Sequence, residues 1–511
     1  IAERILKSPY DERRGVWALD RMGTGARPAW LRLAMEGHDA LREKAVTALG
    51  GTRPVDMEVA RFLAGRLGQG DAAAKALVRI GEPALRLLEE ALLGGDARAT
   101  GEVAEALALS GQLGEPSLLK GMASDRVDVR RICILALYRQ SEDHGLGRVL
   151  LDAVARLCRD DDTEARHRAS ELLCRNSATA PDLVVAALQD AEARVREETA
   201  SRLYLGGAVT EPVLAALRTL LDDRDLGVRK SALFAMERLG PGDATLLPSL
   251  IRALEDPDAI TRERAARMLG ALGDAAAPAA EALSGLLSDQ APPVRVRAAE
   301  SLRKLGASAL PALQALSAAM RKTDGSAEVP RAMVAIGVPA VDPLIGMLAD
   351  DDLAVRVRAA RCLAELGPVA SAAVPSLIEM LRSRDSGLRV PAAAALGCIR
   401  AEAGTVVPLL VKALSDRSPE VQGAARAALI LFGAEAAPAV ASILDDARAD
   451  AGLCEDALRI LAGIGPGARE VLATRTALLA NPDPKGAEVT RAAFVAVGEG
   501  AVPILEAALD D

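Results

Sequence analysis

An aspartate followed six residues later by an arginine recurs along this chain about every thirty-three residues. The pairs are Asp160/Arg166, Asp190/Arg196, Asp223/Arg229, Asp256/Arg262, Asp289/Arg295 and Asp350/Arg356. A further register, Asp416/Gln422, keeps the acid and loses the base. Self-similarity at a fixed period of this size is typical of a solenoid of stacked units. The repeat therefore predicts a stack of similar units and not one enclosed core.

Each unit has the pattern of two amphipathic helices joined by a short turn. In residues 246–273, the first helix has apolar residues at Leu247, Leu250 and Leu254, which is helical spacing. Residues 256–258 (Asp-Pro-Asp) break that helix and can cap the next one. Two helices cannot enclose a core by themselves, so each unit needs neighbours on both sides.

We call the recurring arginine position the arginine column and the recurring aspartate position the aspartate column. A proline lies fourteen residues before the arginine column at Pro116, Pro248, Pro375 and Pro408. This proline–aspartate–valine–arginine pattern resembles the HEAT repeat family, and more narrowly the bacterial HEAT-like repeats also found in phycobilisome lyases. The resemblance implies a right-handed α-solenoid. It also implies that the first helices lie on the convex side and that the second helices line the concave side.

We therefore predict an all-α fold of roughly fifteen helix–turn–helix repeats. Divergent N-terminal HEAT-like repeats are expected in residues 1–115, regular ones in 116–433 and divergent C-terminal ones in 434–511. The chain starts at Ile1 in the register of a first helix, and Pro503 and Asp511 are spaced like Pro248 and Asp256. We expect both ends to lie within a repeat, as in a fragment of a longer protein.

The aspartate–arginine column has two interpretations. In the structural one, each aspartate accepts hydrogen bonds at a helix start while the arginine bridges within or between repeats. In the functional one, the column is a ladder of anion-binding sites. Recurrence in every turn, with no clustering at one place, favours the structural interpretation.

Composition limits the classes of function. The chain is 50% hydrophobic but 2% aromatic, so alanine and leucine are expected to fill the core. A net charge of −9 disfavours binding to nucleic acid or anionic membranes. Charged residues interrupt every long apolar run, which predicts no membrane span. Six cysteines without a C-x-x-C motif predict buried free thiols and a cytoplasmic, reducing compartment.

Motifs that carry chemistry are missing from the sequence. The three histidines, His38, His144 and His167, have no metal-ligand spacing. There is no nucleophile elbow and no phosphate-binding loop. We therefore predict no catalytic residues, no metal site and no cofactor.

The second helices carry the best functional signal. Positions two, five and nine after the column arginine fall on or near one helix face. In central repeats these positions hold Arg168, Arg175, Arg238, Arg264, Arg267, Arg297, Lys304, Arg358 and Arg361. Acidic residues interrupt this basic series at Glu171, Glu198, Glu300 and Glu365. In later repeats the same positions hold Pro391, Ala394, Cys398, Ala424, Ala427 and Leu431.

An ordinary mixed-charge surface explains this series, and so does a groove that takes an acidic segment and then an apolar one. For the groove, the predicted partner-binding residues are Arg264, Arg267, Arg297, Lys304, Arg358 and Arg361. The leading hypothesis is a non-catalytic scaffold that binds a protein partner. Two alternatives stay open: an enzyme or enzyme partner like the bilin lyases, and a nucleic-acid-binding HEAT-like protein. The sequence does not indicate an oligomeric state.

One stretch departs from the repeat. Between Ala315 and Gly337, Ser326 replaces the column arginine, Gly325 lies in the turn and Pro330 lies inside the expected second helix. A proline within a helix removes a backbone hydrogen bond. We expect this stretch to be the weakest joint of the stack.

Overall fold

The computed structural model describes residues 9–53, 55–141, 145–205, 209–240, 244–322, 327–445 and 451–468, together with Ala2, Ala449 and Val471. Within these residues every regular element is helical and there is no strand. The chain forms two compact units, Ile1–Gly240 and Pro241–Asp511. Each unit is a stack of helix pairs, so the predicted all-α solenoid is confirmed. The proposed boundaries at residues 115 and 433 stay predictions.

The first unit contains one leading helix and seven helix pairs. The helices are α1 Pro9–Arg21, α2 Arg27–Glu36, α3 Asp39–Gly50, α4 Met57–Ala64, α5 Ala72–Ile80, α6 Leu85–Gly94, α7 Ala97–Leu109, α8 Glu115–Met122, α9 Val127–Gln140, α10 Arg148–Leu157, α11 Thr163–Arg175, α12 Pro181–Leu188, α13 Ala193–Arg202, α14 Glu211–Thr219 and α15 Leu226–Leu239.

The second unit contains seven more pairs among the described residues. The helices are α16 Leu247–Ala253, α17 Ala259–Ala271, α18 Ala280–Gly285, α19 Pro292–Leu305, α20 Leu313–Met320, α21 Glu328–Ile336, α22 Val341–Met347, α23 Leu353–Leu366, α24 Val374–Leu381, α25 Ser386–Ile399, α26 Ala403–Ala413, α27 Pro419–Phe432, α28 Ala437–Ala441 and α29 Ala451–Ile464. Fourteen pairs agree with the predicted number of repeats. The repeat register at Pro503 and Asp511 lies outside the described residues.

The helices of each unit form two layers. Second helices pack on second helices, as α17 does on α19 and α19 on α21, and first helices pack on first helices. Alanine and leucine fill the space between the layers, as predicted. In α19 the buried side chains include Val294, Ala298 and Leu302, which recur every four residues on one side of the helix.

The arginine column closes the turn within each repeat. The Nη1 atom donates to the main-chain carbonyl of the residue six positions earlier, at 2.6–3.1 Å. The arginines that make this contact are Arg130, Arg166, Arg196, Arg229, Arg262, Arg295, Arg356 and Arg389. Arg130 and Arg389 follow a serine, not an aspartate, and so fall outside the aspartate–arginine pairs of the sequence.

The other edge of the guanidinium reaches the next repeat. At four joints Nε and Nη2 bind both oxygens of the next column aspartate at 2.6–2.9 Å. These pairs are Arg130–Asp160, Arg196–Asp223, Arg262–Asp289 and Arg389–Asp416. In each pair the aspartate also accepts the backbone N–H two residues later. The structural interpretation of the column is therefore correct.

Two joints use a substitute arginine. Asp190 accepts a hydrogen bond from Nε of Arg159 at 2.6 Å, and Asp350 accepts one from Nε of Arg321 at 3.0 Å. Both arginines lie just after the end of a first helix, at Leu157 and Met320 respectively. At these two joints the column aspartate is thus paired with an arginine from outside the column.

Helix capping falls two residues beyond the column. The side chain of Asp162 accepts the N–H of Ala165 at 2.9 Å, and Asp258 accepts that of Thr261 at 2.9 Å. The column aspartate itself binds the turn and the neighbouring arginine. We predicted that the column aspartate caps the helix. In the structure a second acid, two residues later, does so, and the prediction is corrected in this respect.

The stretch expected to be weak differs from its description in the sequence. Helix α21 begins at Glu328, so Pro330 lies in its first turn, where a backbone N–H has no partner within the helix. The proline therefore costs no internal hydrogen bond, and that part of the prediction is wrong. Gly325 and Ser326 lie outside the described residues. The weak-joint hypothesis itself stays a prediction.

Among the described residues, one segment, Leu353–Leu381, is long and apolar enough to cross a membrane by length and composition. Two bent helix pairs there also pass the test when each pair is taken as one span. The segment consists of α23 and α24 joined by a 3₁₀ turn, in which Gly367 has a φ of 64° and Ala370 leaves helical geometry. The prediction that the chain has no membrane span is thus not confirmed and stays a prediction.

Replacing one column aspartate should loosen its own joint. We expect Asp160→Ala to lower the local opening free energy by roughly 3 kcal/mol, because it leaves the largely buried Arg130 without its carboxylate. Hydrogen exchange measured by mass spectrometry should rise in α9 to α11. The adjacent Asp161→Ala is the control, since that side chain is 97% exposed and its ion pair contributes below about 1 kcal/mol. Equal exchange in the two variants would contradict the role of the column.

The column also makes the second unit sensitive to acid. The hydrogen bond from Arg262 holds the pKa of Asp289 below its ordinary value, with burial opposing the shift. A lowered folded-state pKa stabilises the protein above the ordinary aspartate pKa of about 4, and this stability is lost as the pH falls below it. The stability difference between the natural chain and Asp289→Asn, measured by urea unfolding, should be constant from about pH 7 to 5 and shrink below about pH 4. A difference that persists to about pH 2 would sink this account.

Candidate functional site on the second helices

The predicted partner-binding residues lie on the solvent side of the second helices of the second unit. Lys304 and Arg361 are exposed, and the other four, Arg264, Arg267, Arg297 and Arg358, are half-buried. None of the six is fully buried. We call this surface, formed by these six residues on α17, α19 and α23, the basic face.

Glu300 is shared by two bases on α19. Its carboxylate contacts Nη1 of Arg297 and lies 3.1 Å from Nζ of Lys304. Nη2 of Arg297 also lies 3.4 Å from Glu263 on α17, so this arginine links neighbouring repeats. Burial raises the pKa of Glu300, but the hydrogen bond from Lys304 and the charge of Arg297 lower it more. The pKa ends below its ordinary value, and Glu300 is ionised at neutral pH.

The bases of α23 differ in their surroundings. Nη2 of Arg358 donates to the carbonyl of Met320 at 2.8 Å, which ties this side chain into the fold. Arg361 is exposed and has no ion pair among the described residues. Helices α19 and α23 together carry seven basic and two acidic residues. Basic residues therefore outnumber acidic ones on these two helices. Lys304 and Arg361 are the ones that are exposed to solvent.

The small-residue positions continue the face on α25 and α27. Ala394, Ala427 and Leu431 are exposed, and Leu431 shows 46% of its surface. Cys398 and Ala424 are half-buried, while Pro391 is buried and does not belong to the exposed face. The side chains at these six positions are uncharged, although α27 also carries Glu420 in its first turn and Arg426, which pairs with Asp456 at 3.0 Å.

Close packing of α25 on α27 depends on a glycine. A Cβ built on Gly397 would lie 2.5 Å from Cα of Ala428 and 2.6 Å from its Cβ. Only glycine fits at this crossing, so the two helices approach through their backbones. The uncharged part of the surface is consequently presented by two helices in close contact.

In the first unit, the residues on the equivalent helices are largely neutralised. Tyr138 donates to Glu171 at 2.6 Å, and the guanidinium of Arg175 lies 4.2 Å from the centre of the Tyr138 ring. Arg168 contacts Glu164 at 2.9 Å and lies over the same ring at 5.5 Å. Burial, followed by the hydrogen bond to Glu171, raises the pKa of Tyr138. This cluster satisfies its own charges.

Two other contacts complete this picture. Nε2 of His167 lies 2.6 Å from Glu198, which also contacts Arg202. Arg238 lies over the ring of Tyr204 at 5.2 Å. Of the acids that interrupt the basic series in the sequence, Glu171 and Glu300 are thus partners of its bases, and Glu198 pairs with His167 and Arg202 instead. Sequence reasoning did not predict the role of Tyr138, whose signal was its position eight residues after the column Arg130.

Other candidates for chemistry give no site in the described part of the chain. No group of three histidine, cysteine or acidic side chains there could hold a metal ion. Four free cysteines are buried, and burial raises the pKa of the Cys133, Cys158 and Cys362 thiols to about 12. Cys398 and Cys454 are half-buried. His144 lies outside the described residues, and the absence of catalysis stays a prediction.

The family comparison agrees with this geometry. The model of HEAT repeats matches residues 214–282, 247–332 and 325–397. Residues 214–397 are HEAT repeats. No curated protein matches the chain. The column and the two layers of helices continue beyond the matched residues.

Solved structures with a similar fold include karyopherins. A mutant of Kap121p aligns with a TM-score of 0.50 and 14% identity, over 98% of this chain and 58% of that one. Kap121p itself aligns with a TM-score of 0.49 and 15% identity, over 98% of this chain and 59% of that one. Importin β aligns with a TM-score of 0.37 and 14% identity, over 100% and 84%. The chain spans about three fifths of the length of Kap121p, and the likeness concerns the fold alone.

Proposed function

We propose that this chain is a non-catalytic scaffold that binds a protein partner along the second helices of its second unit. The observation that carries this proposal is the change in surface character from the basic face to the uncharged surface of α25 and α27. A partner segment with acidic residues followed by small or apolar ones is complementary to this order. HEAT repeats suit such a role, because stacked repeats offer an extended surface.

The basic face can bind carboxylates without rebuilding the fold. Lys304 and Arg361 are exposed, so an incoming acid meets charge that is not buried in the core. Glu300, on the same helix, forms ion pairs with Arg297 and Lys304, and Glu263 on α17 forms another with Arg297. Fixed guanidinium and ammonium groups lose less freedom on binding than mobile ones. The face is therefore arranged for electrostatic recognition of an acidic segment.

The experiment first identifies the partner by affinity capture and cross-linking mass spectrometry, and then measures its affinity for purified variants. Lys304→Glu with Arg361→Glu should weaken binding about tenfold or more at low salt and less at high salt, since exposed charges are screened. Arg297 and Arg358 are left intact because both make contacts that hold the repeats together.

The matched control is Arg382→Glu with Lys412→Glu. These residues are exposed on or next to the first helices α24 and α26, and the change in net charge is the same. Binding by the control should equal that of the natural chain. If both variants weakened binding equally, the effect would come from the change in net charge and not from the basic face. Cross-links confined to the first helices, or binding of an oligonucleotide on the basic face in preference to protein, would overturn the proposal.

A further inference from the structure

At one joint of the second unit a column arginine, Arg356, meets no aspartate in the next repeat. Arg356 closes its own turn by donating Nη1 to the carbonyls of Asp350 at 2.6 Å and Asp351 at 3.4 Å. The next repeat has Ser383 where four other joints have an aspartate that takes both Nε and Nη2. The guanidinium is thus held as at the other joints, and its carboxylate is missing.

The free edge of Arg356 is partly buried. Its Nε has no hydrogen-bond partner within the described residues although it is shielded from solvent, and no contact to Nη2 is formed there either. Other arginines that the structure describes, among them Arg166 and Arg426, also have a shielded Nε without a partner, so the feature that marks Arg356 is the column carboxylate absent from the next repeat. At Asp190 and Asp350 a substitute arginine repairs a mismatched joint. No substitute carboxylate reaches Arg356 from the described part of the chain.

A cavity of about 330 Å³ lies at this gap. Arg356 and Ser383 line it, and Ile345, Leu348, Met380 and Leu388 give it apolar walls. The volume falls at the lower end of the range for small-molecule sites, roughly 300–1,000 Å³. Glu379 also lines the cavity but is exposed and bound to Arg382 at 2.8 Å. An acid at the rim disfavours a ligand with a second negative charge.

We propose that this cavity binds a monocarboxylate carried on a short apolar stem, with its two oxygens on Nε and Nη2 of Arg356. Four joints of the same chain show that a guanidinium held in this way binds a carboxylate through two hydrogen bonds. The apolar walls take the stem, and Ser383 offers a hydroxyl. The site uses other residues than the basic face and goes beyond the proposed scaffold function.

The test uses the full chain and two carboxylate probes, measured by calorimetry and by thermal shift. Hexanoate represents a free small acid, and the acetylated peptide Ala-Ala-Leu with a free C-terminus represents a peptide end. We expect saturable binding of at least one probe and a rise in the melting temperature. Tighter binding of hexanoate indicates a small-molecule ligand, and tighter binding of the peptide indicates a protein terminus. Hexanamide and the peptide amide should not bind, because they lack the charge.

Two variants locate the site. Arg356→Gln should weaken binding at least about tenfold, the usual effect of losing hydrogen bonds to a charged group. Ser383→Asp supplies the missing carboxylate from the chain itself, so it should raise the melting temperature and abolish binding of both probes. The Lys304→Glu and Arg361→Glu changes should leave probe binding unaltered, which separates this proposal from the scaffold function.

Ser124→Asp is the matched control for the serine substitution. Ser124 accepts the N–H of Arg126 at 3.2 Å, as Ser383 accepts that of Asp385 at 3.2 Å. The preceding repeat, however, has Thr100 at the column position, because its second helix begins at Ala97 and the column residue is the fourth of the second helix in the repeats that keep the column. An acid at position 124 would thus meet no column guanidinium. Ser124→Asp should therefore neither stabilise the chain nor affect probe binding. Undiminished binding in Ser383→Asp or Arg356→Gln, equal binding of the amides, or no binding of either acid up to about 10 mM would overturn the proposal.

Discussion

The contact between a column arginine and the next column aspartate organises this protein. One edge of the guanidinium closes the turn of its own repeat, and the other binds the first acid of the following repeat. Because both edges belong to one rigid planar group, the position of a turn fixes the position of its neighbour. The apolar layers supply most of the burial, and the column sets the register in which they stack.

The same rule clarifies where function can lie. Where the column is paired, its role is structural, because each aspartate binds an arginine. Burial raises the pKa values of Asp160 and Asp223, but hydrogen bonds from arginine and backbone N–H groups, with the arginine charge, lower them more. The arginine hydrogen bond likewise outweighs burial in the pKa of Asp416, so these carboxylates are ionised near neutral pH. The second helices are free of this task on their solvent side, so their surface can vary from basic to uncharged. An interrupted column, as at Arg356, is the third case, because the fold then leaves a positioned charge without its partner.

The sequence was sufficient for the fold because period, turn residues and helical spacing all indicate the same unit. Which arginine binds which aspartate was not readable, since Arg196 and Asp223 lie 27 residues apart and Asp190 pairs with Arg159 instead of Arg166. Pro330 was misplaced because α21 begins at Glu328, after the column position Ser326, whereas the other second helices begin before their column residue. The basic face as a binding site stays a prediction, and the contacts of Glu300 depend on how neighbouring side chains meet, which no single repeat encodes.

The column also has a consequence for how such a chain grows. Each repeat offers a guanidinium at one side and a carboxylate at the other, so a duplicated unit meets a compatible neighbour at both junctions. Gene duplication or deletion of whole units therefore preserves ionic matching, whereas recombination within a unit breaks it. Positions such as Thr100 and Ser383, which carry neither the base nor the acid of the column, mark junctions at which this ionic matching is interrupted.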